Sequence, residues 1–88
     1  MDVIKDLEEL AEIISIAIAR EKASVDYYTE AYKKARGETA RRVFSLMIEQ
    51  EKGHEAKMRA QLHEVNAEIE MERLKAGKRK ASRNHQKQ

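Results

Sequence analysis

YTEAYKKARGETARRVFSLMIEQE, residues 28–51, decides the fold. Gly37 is the one strong break within it, and on both sides apolar residues recur in steps of three and four. Before the glycine the stripe runs through Leu7, Leu10, Ala11, Ile14, Ala17 and Ile18, then Val25, Tyr28, Ala31, Tyr32 and Ala35. After it come Ala40, Phe44, Met47, Met58, Leu62, Val65 and Ile69. That period is the signature of one face of a helix. Helix 1 is predicted over about residues 2–35 and helix 2 over about 39–75. Asp2 and Thr39 suit the two N-caps, and Gly37 suits a left-handed residue after a helix end. A connection this short makes the helices antiparallel. Each stripe then has one partner and one wet side, so the fold class is all-α, a two-helix antiparallel hairpin completed as a four-helix bundle by a second copy.

Composition supports this and narrows the chemistry. The 88 residues contain no cysteine and no proline, three glycines, and 39% charged against 41% hydrophobic side chains. Without cysteine there are no disulfides, iron–sulfur clusters, thiolate zinc sites or cysteine nucleophiles. One chain of this size has room for a single small domain, residues 1–75, whose core needs help from oligomerisation or a metal. Nothing approaches the ~20 apolar residues of a membrane span, and no signal-peptide pattern opens the chain, so the cytosol, or a compartment loaded from it, is expected. The net charge of +2 is uneven. Residues 76–88 carry five basic side chains and no acid, leaving 13 basic against 16 acidic residues before them. With no periodicity, 76–88 are expected to be a basic disordered tail. Five charges make only a weak, salt-sensitive contact, so nucleic acid is not expected as a partner.

Ionisable residues interrupt both stripes. Counting sevens from Leu7 places Glu21 at a core position, flanked by Ala17, Ile18, Val25 and Tyr28. On helix 2, sevens from Phe44 reach Glu51, and the companion row from Met47 reaches His54, one turn on along the same face. Glu51-x-x-His54 is a weak pattern alone in a chain with 16 acids and three histidines. Its level is more telling. Glu21 lies 16 residues before Gly37, and Glu51 and His54 lie 14 and 17 after it. At 1.5 Å per residue all three stand about 21–26 Å from the turn. Two copies would supply two single glutamates and two Glu-x-x-His pairs, the ligand set of di-iron carboxylate bundles. Carboxylate oxygens and imidazole nitrogens suit iron or manganese, with zinc an accepted substitute, and four inward glutamates without a cation would repel one another.

AIAREKASVDYY (17–28) and SLMIEQEKGHEAKM (45–58) resemble the two helix motifs of the ferritin-like/rubrerythrin superfamily. The single-hairpin length and the 30-residue interval from Glu21 to Glu51 look most like the encapsulated ferritins. The resemblance implies a ferroxidase, oxidising Fe(II) to Fe(III) at a di-iron site shared by two subunits, for iron storage or detoxification. It implies Glu21, Glu51 and His54 as metal ligands and Tyr28 as a tyrosine near the iron. It also implies a homodimer, a ring of dimers (a homodecamer), and an encapsulin-type shell protein as partner. Two features depart from that family: the C-terminal stretch is basic rather than an apolar docking peptide, and Arg20 and Ala23 stand where an acidic iron-access patch is usual.

The remaining candidates have plainer readings. Tyr27 and Tyr32 flank the stripe as packing residues, Glu55 fits a salt bridge, and His63 and His85 fit the surface. Met47, Met58 and Met71 fit core filler. Two other functions stay open beside the ferroxidase: a rubrerythrin-like peroxide scavenger, and a metal-free dimeric helical interaction module.

Overall fold

Asp2 starts the first helix in the computed structural model, which describes the backbone of residues 2–86 and the side chains of 2–78. Its Oδ1 accepts from the Lys5 N–H at 3.2 Å, satisfying one of the four donors a helix start leaves free. Helix α1 spans Val3–Lys34 and α2 spans Glu38–Gln86. They lie antiparallel, as the all-α hairpin predicted from the sequence.

The turn differs from expectation in detail. Ala35 ends α1 in an extended conformation (φ −67°, ψ 131°), its N–H still bonded to the Ala31 and Tyr32 carbonyls. No described residue, Gly37 included, has positive φ. Gly37 is therefore no left-handed terminator. Its carbonyl accepts the Arg41 N–H at 3.1 Å, which makes it the first acceptor of α2. Thr39 consequently sits inside the first turn of α2 rather than capping it. Arg41 reaches back across the connection, its Nε donating to the Ala35 carbonyl at 2.9 Å.

The end of α2 also needs correcting. The helix does not stop near residue 75; its backbone continues through Gln86, over most of the expected disordered tail. No proline stands there, Ala, Lys, Arg and Gln are good helix formers, and Gly77 alone costs only about 1 kcal/mol. Residues 87 and 88 of that tail lie outside the described residues.

The molecule measures 77 × 17 × 14 Å, a rod two helices wide. Among the described residues only Ile18 and Ile69 are buried. Leu7, Ile14, Val25, Phe44, Met58 and Leu62 are half-buried along the seam. The accessible surface is 7395 Å², against about 5,300 Å² for a compact monomer of this mass. Large apolar side chains stay on the surface, among them Leu10, Ile13, Val43, Leu46 and Leu74. Tyr27 is 73% and Tyr32 40% exposed, so neither packs within the hairpin as expected, and Met71, 56% exposed, fills no core there. One ion pair fastens the open end: the Arg73 guanidinium spans Glu70 on its own helix and Glu8 on α1, each at 3.1 Å. Among the described residues no helix is long and apolar enough to cross a membrane.

Candidate metal centre

Glu21 stands on the seam near the middle of α1, where the three-and-four spacing carries it inward one turn after Ile18. Glu51 and His54 stand across from it on α2, three residues and so about one turn apart. These three form the one group of potential metal ligands among the described residues, with a ligand atom from each lying within 4.8 Å of the others. His54 Nδ1 is 4.0 Å from Glu21 Oε1 and 4.0 Å from Glu51 Oε2. At that range the imidazole makes no hydrogen bond with either carboxylate.

The three side chains are unequally shielded. Those of Glu21 and Glu51 are 24% and 23% exposed, whereas that of His54 is 59% exposed. The carboxylates lie in the seam and the imidazole stands toward the open side. Glu21 Oε2 is buried and has no hydrogen-bond partner. An acceptor removed from water without a donor costs about 1–3 kcal/mol, and a second carboxylate close by adds repulsion. A divalent cation answers both penalties together. Two oxygens and a nitrogen converging on one volume are hard and borderline donors of the kind iron, manganese and zinc accept. Ligand atoms held at about 2 Å from one ion lie at most ~4 Å apart, so small side-chain rotations close the observed spacing. The residues present therefore fit a metal, and Glu21, Glu51 and His54 are the residues that can hold it.

Other candidates fall away from this cluster. Tyr28 is half-buried two turns beyond Glu21, outside the ligand group, with its ring edge-on to Tyr27 at 5.8 Å between centroids. Glu55 is held by Arg59 at 2.8 Å, the salt-bridging role read from its place on the stripe's edge. His63 is exposed. The side chain of His85 lies outside the described residues. Sequence reasoning missed no member of the cluster, but it did not foresee that His54 would face outward more than inward. The companion row from Met47 lies at the margin of the seam, and that offset was the available signal.

Among known proteins, the family model described as Rubrerythrin matches residues 12–87, a span that contains all three ligand candidates. No curated protein and no solved structure matches the chain.

Proposed function

Because the chain belongs to the rubrerythrin family of the ferritin-like superfamily, we propose that it is a ferroxidase whose site is completed by a second copy of the hairpin. The observation that carries this is Glu21 Oε2, buried without a partner beside Glu51 and His54. One hairpin offers two carboxylates and one imidazole. Two such sets face to face give four carboxylates and two imidazoles, the number a pair of metal ions needs in a helical bundle.

Fe(II) is the substrate in this reading. Across two copies, Glu21 and Glu51 would supply four carboxylates, whose charge balances that of two Fe(II) ions. His54 would add a nitrogen ligand from the exposed side of each hairpin. When bound, the iron pair supplies the redox chemistry, each Fe(II) giving up one electron to dioxygen or peroxide. Along the seam, buried Ile18 and half-buried Val25 on α1 and half-buried Phe44 and Met58 on α2 stand above and below the ligands.

Anaerobic Fe(II) titration followed by native mass spectrometry tests the reading. Two iron ions per dimer are expected, with a near-ultraviolet absorbance rise once oxygen is admitted. Glu21→Ala should abolish both while leaving a helical dimer. A wild-type chain that takes up neither iron nor manganese sinks the proposal. A second reading, which the resemblance to rubrerythrins implies, is peroxide reduction at the same residues. Oxidising the iron-loaded dimer with hydrogen peroxide and with dioxygen in parallel separates them: a scavenger turns over peroxide catalytically with an added electron donor, whereas a ferroxidase accumulates Fe(III).

A further inference from the structure

The part of α2 that runs on past the hairpin changes character where it leaves α1. It extends about 15 residues, or about 22 Å, beyond the level of Val3. Before that, the basic side chains at this end of α2 are answered by acids: Arg73 by Glu70 and Glu8, each at 3.1 Å, and Lys75 by Glu72 at 3.4 Å. Glu72 is the last acid of the chain. Residues 76–86 then carry four basic side chains, Lys78, Arg79, Lys80 and Arg83, and no acidic one. No acid stands within four residues of any of them along the sequence, so the pairs that neutralise a charged helix from within cannot form.

The helix also groups these charges. At 3.6 residues per turn, positions 79, 80 and 83 fall within about 100° of one another around the axis. Arg83 stands four residues from Arg79 and three from Lys80, spacings at which like charges repel. An external anion offsets that repulsion. A lipid surface needs large apolar side chains to bury, and residues 75–86 offer only Ala76 and Ala81. A protein interface needs aromatic or bulky anchors, and the same segment has none. A phosphate backbone needs neither. It is met by Lys, Arg, Ser, Asn and Gln donors, and Ser82, Asn84 and Gln86 complete that set. Size agrees as well: a helix about 10–12 Å across fits a major groove about 12 Å wide. Duplex DNA carries a charge roughly every 1.7 Å of its length.

We propose that residues 75–86 form a helical arm that binds duplex DNA through its phosphates, without reading sequence. The arm is separate from the metal centre and does not depend on it. Asp2, Asp6, Glu8 and Glu9 at the open end are exposed and repel the same phosphates, so the arm holds the duplex while the rod stays off it. A disordered tail with these charges would lose conformational freedom on binding. A helix that already continues from α2 spares that cost, which makes DNA a partner although composition alone did not suggest one.

Fluorescence anisotropy of a labelled DNA duplex titrated with the full chain tests this. With four phosphates neutralised, affinity should fall about 100-fold between roughly 50 and 200 mM salt. A second duplex of unrelated sequence should bind equally well. Arg79→Glu combined with Arg83→Glu should abolish binding and leave iron uptake unchanged, while Glu21→Ala should bind DNA as the wild type does. Ser82→Pro keeps every charge but breaks the helix, and should weaken binding several-fold. Undiminished binding by Ser82→Pro overturns the helical arm, and a wild type that ignores DNA at low salt overturns the proposal outright. Polyglutamate that displaces the duplex at equal charge concentration makes the partner an acidic protein instead. Salt-sensitive self-association without DNA binding, lost in the double variant, assigns the arm to the acidic end of a second copy. Iron uptake is read separately, so each of these failures leaves the ferroxidase reading standing.

Discussion

Glu21 concentrates the conflict that a bound metal would resolve. Its Oε2 is buried without a donor, and a second carboxylate stands close by on α2, so in metal-free protein the group carries an uncompensated desolvation cost. Glu21→Ala should leave the stability of metal-free protein unchanged or raise it by on the order of 1 kcal/mol. With Mn(II) at about a hundred times its dissociation constant, the wild type should gain roughly 2.7 kcal/mol, a rise in Tm of roughly 10–20 °C for a domain of this size. The variant should gain none of this. Thermal unfolding with and without metal checks both halves, and a Glu21→Ala chain that is clearly weaker without metal would show an ordinary structural residue. His54 admits a finer distinction. Its side chain is mostly exposed, so His54→Ala should cost little stability while weakening metal uptake, read by the same titration.

At the level of the helices, the seam was legible in the sequence because its rule is geometric. A three-and-four spacing on both sides of one glycine leaves a hairpin as the economical solution, and the ionisable residues inside that spacing announced the site. Gly53, in the middle of α2, follows a weaker rule. A Cβ built there meets nothing within 4 Å, so the glycine is not required by close packing within the hairpin. Gly53→Ala should stabilise α2 by up to about 1 kcal/mol, measured by denaturant unfolding, without altering metal stoichiometry. A loss of stability would mean that another surface presses against that position. What escaped the sequence reading was decided by small differences. Gly37 takes an ordinary backbone angle because α2 begins directly on its carbonyl. Residues 76–86 lack an apolar period yet have the composition to continue a helix already nucleated, and periodicity alone is silent about that. Tyr32 obeys the spacing of the stripe and Met71 reads as core filler, yet both are exposed, because one stripe cannot say which neighbour it serves.

As a whole the molecule is a rod with two buried side chains among those described, too little interior for a chain of 88 residues to fold firmly alone. Its stability should therefore depend on concentration. Across a hundredfold dilution the melting temperature followed by circular dichroism should fall, and metal should oppose the fall by tying the copies together. A melting temperature independent of concentration over that range would show that the single hairpin suffices.

The hairpin begins and ends at the same end of the rod, since Val3 on α1 lies near the level at which α2 passes the seam and runs on alone to Gln86. That fixes how two copies could be joined into one polypeptide. A tether from Gln86 starts about 15 residues of helix, or about 22 Å, beyond the level of Val3. To bring a second α1 back to open at that same level it must be at least about 7 extended residues long. A five-residue tether is too short for that and would set the second hairpin beyond the first along the rod.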